Sequence, residues 1–222
     1  MVNIYARITT MSRRVSNVFE HPVSIEVPTE LLAEASKGKA IYQNAVPLPP
    51  GRFRLNVVSK DVVGGNMNNY ELALDVPRFE DEKLGMSSII FADQIEKVPT
   101  KQIGAGQFVI GTSKVRPRLN DTFKRDEKMG IYVSFYNFTP DEKTQKPQGQ
   151  IEYEVVRSGN NQKVFEFTED LKDIPGSSAT QVTIEKLLPL QSLEPGQYFL
   201  KMKVTDKLGN QTLTPSAAFT VT

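Results

Sequence analysis

The feature that most constrains the fold of this chain is a gap-free internal repeat with an offset of 145 residues. Residues 48–76 read LPPGRFRLNVVSKDVVGGNMNNYELALDV, and residues 193–221 read LEPGQYFLKMKVTDKLGNQTLTPSAAFTV. Each copy predicts a Pro-Gly corner, a long strand, a tight Asp-x-x-Gly turn in which glycine supplies a positive φ, and a returning strand. Two copies of one hairpin predict two domains, which finish near Val76 and at Val221.

Period-two alternation of apolar and polar residues predicts half-buried strands along most of the chain. Ile131, Val133 and Phe135 alternate with more polar neighbours, as do the inward positions of each repeat, and Gly, Pro and Asn turn signals separate the segments. The last two strands of an immunoglobulin-like sandwich have the form of the repeat, with Tyr198 placed to make a tyrosine corner and Phe53 unable to make its hydrogen bond. The sequence therefore predicts an all-β chain of two tandem immunoglobulin-like (fibronectin III-like) β-sandwich domains.

The predicted boundary follows the first repeat, where a proline precedes a charge run. Domain 1 covers residues 1–78, a linker covers 79–85, and a larger sandwich covers 86–222 with long loops at 95–125 and 140–148. Because alternation starts at Val2, the chain opens in mid-strand, which predicts that domain 1 is truncated at its N-terminus.

One segment near residues 29–37 is predicted to be a short helix that crosses between the two sheets of a sandwich. Thr29 follows a proline and can cap the helix, Leu31, Leu32 and Ala35 share one face, and Gly38 can end it.

Composition excludes several classes of chemistry. Cysteine and tryptophan are absent, so the chain has neither disulfides nor thiolate metal sites, and an antibody-type core is ruled out. The net charge of +1 argues against nucleic acid as the main partner, because phosphate binding needs a clustered excess of Lys and Arg. No apolar stretch is long enough for a membrane span, and no secretory signal opens the chain.

Catalytic, cofactor and metal sites are not predicted. The single histidine, His21, is interpreted as a surface or structural residue, since one His cannot build a zinc site and no nucleophile elbow accompanies it. A catalytic hypothesis would have to use scattered carboxylates such as Glu152, Glu154 and Asp206, of which the last has a structural role in the turn. Solvent-facing side chains explain the other two better on an open sheet.

The linker carries three adjacent carboxylates, Glu80, Asp81 and Glu82. Calcium needs six to eight oxygens from several segments. We therefore favour a solvated hinge and leave calcium binding by this segment open.

The predicted interaction surface consists of outward-facing aromatic residues and part of a basic stretch, namely Tyr132, Tyr136, Phe199, Arg116 and Arg118. Exposed aromatics can bind glycans or protein partners. The same rings can equally pair across strands or lie under a long loop, and the basic stretch can be a solvated loop or a charged edge strand.

The whole chain resembles the C-terminal region of the GWxTD-domain proteins of Acidobacteria and their relatives. The resemblance rests on AVPLPPGRFRL at 45–55, FEDEKLG at 79–85, FVIGTSKVRPR at 108–118 and LEPGQY at 193–198. The naming motif is absent, and in the family that domain lies upstream. The resemblance implies an extracytoplasmic protein with an export signal and further domains on the same chain, and it transfers no catalytic residue.

These observations lead to two hypotheses of function. The first is a non-catalytic structural or protein-interaction module of a larger extracytoplasmic bacterial protein. The alternative is a carbohydrate- or cell-envelope-binding accessory domain of an enzyme. The sequence leaves the partner, the ligand and the oligomeric state open.

Overall fold

The computed structural model describes residues 1–24, 26–35 and 38–222, and the chain is all-β with antiparallel sheets and one short α-helix. It divides into two compact units, Met1–Arg78 and Phe79–Thr222, called unit 1 and unit 2 below. The all-β prediction is confirmed.

Unit 1 contains one four-stranded antiparallel sheet in the order β2-β1-β3-β4. Its strands are β1 (Val2–Thr10), β2 (Val15–Val23), β3 (Gly51–Asp61) and β4 (Met67–Val76). Ala6, Ile8 and Phe53 are buried on one face, while the inward positions farther along the strands are half-buried or exposed. Within the described residues of unit 1 the second sheet that a sandwich requires is not present.

The short helical segment is less regular than predicted. A 3-10 turn at Thr29–Leu31 leads into α1 (Leu32–Ala35), and residues 36 and 37 of the predicted span lie outside the described residues. Pro28 holds the capping position without a side-chain hydrogen bond, so the prediction that Thr29 caps the helix is wrong. Leu31 and Leu32, on the predicted apolar face, are both exposed.

Unit 2 contains two six-stranded sheets whose inner faces share one hydrophobic core. The first sheet has the order β13-β10-β6-β8-β7 with β5 paired to β10, and the second has the order β12-β11-β14-β16-β9 with β15 paired to β14. The strands of unit 2 are β5 (Gly85–Met86), β6 (Ile90–Lys97), β7 (Val109–Ile110), β8 (Ser113–Pro117), β9 (Thr122–Phe123), β10 (Lys128–Tyr136), β11 (Gly149–Arg157), β12 (Lys163–Asp170), β13 (Gln181–Pro189), β14 (Gly196–Asp206), β15 (Gln211–Leu213) and β16 (Ser216–Val221).

The inward positions that the alternation predicts in unit 2 are buried. Ile131, Val133 and Phe135 on β10 are at most 3% exposed, and the alternating apolar residues of β11 and β14 are equally enclosed. Residues 95–125 were expected to be a long loop, but they contain β7, β8, β9 and the end of β6. The two-residue strands among them are too short to show alternation, so only their pairing partners define them.

The two copies of the repeat form hairpins with the same register. β3 pairs with β4 so that Gly51 lies opposite Val76, and β14 pairs with β16 so that Gly196 lies opposite Val221. The hydroxyl of Tyr198 donates to the backbone oxygen of Glu194 at 2.6 Å, which confirms the predicted tyrosine corner.

The Asp-x-x-Gly turns also correspond, but the role predicted for their glycines is wrong. The positive φ falls one residue later, at Gly65 (75°) and Asn210 (50°). Gly64 and Gly209 are needed for space instead, because a Cβ at either position would collide with the carboxylate of the turn's aspartate. Each carboxylate accepts backbone hydrogen bonds that close its turn, and those bonds lower the pKa of Asp61.

Candidate functional site

The candidate site lies in unit 2 on the outer face of the first sheet. The register of β10 and β13 places Tyr132 opposite Glu185 and Ser134 opposite Thr183. Since side chains alternate between the two faces of a strand, these four point away from the core while their neighbours Val133 and Ile184 are fully buried. The sheet thus presents a row of polar side chains on its outer face.

Tyr132 forms the floor of the site. Its side chain was predicted to face outward, and it does face away from the main core, yet it is only 5% exposed. It belongs to a second apolar cluster with Ala92 and Val115, against which Ile95 and Ile110 pack. Burial raises the pKa of its phenol, so Tyr132 stays protonated and neutral. Tyr132 is therefore covered and is not offered as an exposed aromatic ring, because β6, β7 and β8 supply this second cluster.

Three side chains, from β6, β8 and β13, form a charged cluster at one side of this floor. The hydroxyl of Ser113 donates to Glu185 Oε1 at 2.6 Å, and Lys97 Nζ lies 2.8 Å from Glu185 Oε2. Lys97 Nζ also donates to the Ser113 hydroxyl at 3.1 Å. Ser113 is fully buried and the Glu185 side chain is 19% exposed, whereas the Lys97 side chain is 68% exposed. Only the lysine of this cluster is therefore freely offered to solvent.

A second polar cluster, without charge, lies on the other side. The hydroxyls of Ser134 and Thr183 are 3.0 Å apart, and Gln181 Nε2 donates to Thr183 Oγ1 at 3.0 Å and to Ser134 Oγ at 3.3 Å. Gln181 is exposed while Ser134 is buried. These bonds fix the orientation of the exposed amide before any ligand arrives.

An open groove of about 700 Å³ runs over both clusters. One wall comes from the segment that leads into β13, and the walls and floor together comprise Lys97, Gly111, Thr112, Tyr132, Ile174, Pro175, Gly176, Ser178, Thr180, Gln181, Thr183, Ile184, Glu185 and Lys186. The groove therefore offers a cation, a carboxylate, hydroxyls and an amide in fixed positions. Such a surface can hydrogen-bond an extended polar ligand.

The five residues of the predicted interaction surface do not come together. Tyr136 shares the outer face with Tyr132, but its ring packs edge-on against Phe79 at 5.4 Å. Phe199 is 37% exposed and belongs to β14 in the second sheet.

The two arginines of that surface differ from each other. Arg116 is exposed on β8. Arg118 pairs with Asp93 at 2.5 Å and Glu127 at 2.8 Å, and its guanidinium lies 4.5 Å from the ring centre of Phe123. These partners hold Arg118 within unit 2, which agrees with a structural interpretation of the basic stretch.

The carboxylates that a catalytic hypothesis would need are engaged in structural interactions. Glu152 pairs with Lys203 at 3.1 Å and Glu154 pairs with Lys163 at 2.7 Å. The hydrogen bond from Lys203 lowers the pKa of Glu152. Asp206 is fully buried and accepts hydrogen bonds from backbone amides, including that of Thr139 at 2.8 Å.

The acidic linker has local partners. Glu80 pairs with Lys83 at 2.7 Å, and the backbone oxygens of both residues accept hydrogen bonds from the side-chain amide of Asn137. In residues 1–24, 26–35 and 38–222, no group of three or more His, Asp or Glu side chains could hold a metal ion. His21 is exposed and its Nδ1 lies 2.5 Å from the hydroxyl of Tyr42.

Sequence reasoning missed the residues that form the groove. Gln181, Thr183 and Glu185 alternate with buried Val182 and Ile184, so their outward direction can be derived from the sequence. What the sequence does not show is that the pairing of β6 with β8 places Lys97 opposite Ser113, and that both side chains contact Glu185 of β13.

A comparison with protein-family models and with curated proteins finds no match for this chain. Among the described residues, no helix is both long and apolar enough to cross a bilayer.

Proposed function

We propose that this chain is a non-catalytic interaction module of a larger extracytoplasmic bacterial protein, and that the groove over Tyr132 in unit 2 binds a segment of a partner protein. The observation that carries the proposal is the set of hydrogen bonds that fixes the groove's polar groups in advance. Preorganised donors and acceptors reduce the entropy lost on binding, which favours recognition. The setting outside the cytoplasm rests on the resemblance to GWxTD-domain proteins.

The arrangement of the groove supports binding better than chemistry. A serine nucleophile needs an exposed hydroxyl beside a base that can take its proton. Ser113 is fully enclosed, and both oxygens of Glu185 are already engaged by Ser113 and Lys97. A charged pair whose lysine remains accessible suits a peptide carrying polar and acidic side chains.

The strand order of unit 2 supports its assignment as an immunoglobulin-like, fibronectin III-like sandwich. From β10 the chain crosses to β11 and β12 in the second sheet, returns to β13 beside β10, and crosses again to β14 and β16. Alternation between sheets of this kind is expected for that class of sandwich. Domains of this class commonly act through surfaces and loops on a rigid framework.

The test is a groove-blocking variant with a matched control. Thr180 is exposed at the groove and Leu208 is exposed at the β14–β15 turn, so Thr180→Trp and Leu208→Trp introduce the same large side chain at two surface positions. A photo-crosslinker placed at Ser178 should capture a protein from the envelope fraction of the source organism. Thr180→Trp should abolish that adduct, and Leu208→Trp should preserve it.

Two outcomes would overturn the proposal. Equal capture by both variants would show that the groove is not the binding surface. Turnover of a substrate that disappears with one groove substitution would replace the non-catalytic function with an enzymatic one.

The second candidate is carbohydrate or cell-envelope binding, as an accessory domain of an enzyme. Neutral hydroxyl and amide groups at Thr183 and Gln181, with an aromatic residue below them, favour it. Retention on envelope polysaccharide that is lost with Gln181→Ala and kept with Leu208→Trp would support it over a protein partner.

A further inference from the structure

The outer edge of the repeat hairpin is covered by another strand in unit 2. β9 runs parallel to β16, with Thr122 beside Thr220 and Phe123 beside Val221. The backbone nitrogen of Thr220 donates to the oxygen of Asp121 at 2.8 Å. A short extended segment therefore satisfies backbone groups that would otherwise form an open edge.

This covering strand also delivers an apolar anchor. The side chain of Phe123 is 1% exposed and belongs to the core of unit 2, where its ring lies 6.4 Å from that of Phe91. The edge position of this hairpin is thus a site for an extended strand with one large apolar side chain.

In unit 1 the matching edge is open. β4 forms the same register with β3 as β16 forms with β14, but it is the last strand of its sheet. Its side chains are exposed, with Met67 at 68%, Tyr70 at 61% and Leu72 at 41%. A ten-residue edge without proline offers unpaired backbone groups along its length. The opposite edge strand, β2, contains Pro22, and its pairing with β1 shifts register at Ile8 and Thr9.

We propose that β4 binds an extended strand of a partner polypeptide, in the position that β9 holds beside β16. The proposal concerns unit 1 and goes beyond the groove of unit 2, so either can fail without the other. Strand addition to a sheet edge gains affinity from backbone hydrogen bonds and specificity from alternate side chains.

The charge of β4 determines the chemistry of that partner. β4 contains Glu71 and Asp75 and neither Lys nor Arg, and Arg54 and Arg52 on β3 lie 3.2 Å and 3.9 Å from these two carboxylates. Because both ion pairs are about half exposed or more, they are weak and leave the carboxylates accessible to a basic partner. A second β4 edge would place carboxylates against carboxylates, so a second copy of this strand is disfavoured. The occupant is therefore a strand with basic residues and one large apolar residue, as in residues 118–125, where Phe123 is followed by Lys124 and Arg125.

One sequence difference between the two hairpins limits where pairing of β4 with the added strand can begin. Thr222 donates its backbone N–H to Phe123, but the matching residue in unit 1 is Pro77, which has no N–H. The first donor available to the added strand is Asp75, which matches Thr220, and the next is Ala73, because outward N–H groups recur every second residue.

The probe is a synthetic peptide with the sequence of residues 118–125, RLNDTFKR, titrated into the isotope-labelled full chain. We expect saturable amide shifts at Ala73 and Asp75, and no shifts when Asp replaces the phenylalanine of the peptide. In the free protein the amides of Ala73 and Asp75 should exchange rapidly and that of Thr220 slowly, which checks the open edge independently of binding.

Ala73→Pro removes an outward N–H without removing a β3–β4 hydrogen bond, and Ala73→Ser is the matched control. The proline variant should bind the peptide at least about tenfold more weakly, and the serine variant should bind like the wild type. Circular dichroism should show that both variants remain folded.

Three outcomes overturn the proposal. Shifts at Thr220 in place of Asp75 would mean that the peptide only replaces β9. Equal binding by Ala73→Pro would mean that β4 is not the site. Concentration-dependent dimers that Ala73→Pro abolishes would assign this edge to a second copy of the chain.

Discussion

The hairpins β3–β4 and β14–β16 have the same sequence pattern and the same register, yet they differ in how much they bury. On β14 Leu200 and Val204 are at most 1% exposed, while on β3 the matching Leu55 and Ser59 are only half-buried. The difference comes from the surroundings, because β14 faces a second sheet within unit 2 and the described part of unit 1 has one sheet. Local pattern determines the hairpin, and the opposing sheet determines its burial.

The turns differ in the same way. Asp206 is fully buried and bonds to its own turn and to the amide of Thr139 in the β10–β11 connection. Asp61 bonds to its own turn, through the amide of Val63 among others. The aspartate thus closes its turn in both copies, and in unit 2 it also accepts a hydrogen bond from an amide far away in the chain.

The largest difference between the hairpins should appear when a matched leucine is truncated in each. Leu200→Ala should lower the free energy of unfolding by about 3 kcal/mol, because it leaves a cavity in a closed core. Leu55→Ala should cost less than about 1.5 kcal/mol, because its site is already partly hydrated. Urea denaturation followed by circular dichroism measures both free energies of unfolding. Equal losses would contradict the conclusion that the second sheet of unit 2 causes the deeper burial of its hairpin.

The two turn aspartates should give the next largest difference. Asp206→Ala removes a fully buried acceptor from the amides of Thr139, Leu208 and Gly209, at a cost of about 2–3 kcal/mol. Asp61→Ala should destabilise unit 1 less, since water can replace the carboxylate. Amide exchange of Thr139 should rise in Asp206→Ala, and an unchanged Thr139 would argue against the long-range role.

A smaller effect is expected at the tyrosine corner. Tyr198→Phe removes the hydrogen bond to Glu194 and should cost about 1 kcal/mol. Phe53→Tyr introduces the hydroxyl at the matching position of unit 1, where the backbone oxygen of Pro49 corresponds to that of Glu194. We expect it to change stability by less than about 0.5 kcal/mol, as measured by thermal and urea unfolding, and a larger gain would show that the corner of unit 1 is already preorganised for the bond.

The smallest effects on stability are expected when the pH is lowered. Backbone hydrogen bonds lower the pKa of Asp61 in unit 1 and of Glu127 in unit 2, where the amide of Lys124 is the largest cause. Each contribution is complete above the unfolded pKa of about 4 and is lost as pH falls through the lower native pKa. Asp61→Asn and Glu127→Gln should therefore each lose less stability than the wild type during acid titration. If either variant lost stability with falling pH as steeply as the wild type does, the lowered pKa of that carboxylate would be contradicted.

Much of the framework could be predicted from the sequence, but little of the site. The repeat, its paired strands and the hydroxyl of Tyr198 follow from spacing and from alternation. Alternation predicts the face of β10 on which Tyr132 lies, but it does not predict what covers that face. The partners of Arg118, namely Asp93 and Glu127, come from other elements and have no local signal.

The all-β class, the paired hairpins and the direction of side chains along each long strand follow from the amino-acid sequence, since these depend on periods of two residues and on turn chemistry. The meeting of Lys97, Ser113 and Glu185 in a groove, the covering of β16 by β9 and the open edge at β4 emerge only in the folded chain. Hydrogen bonds between strands join residues far apart in the chain, and their energy depends on geometry that local spacing does not contain.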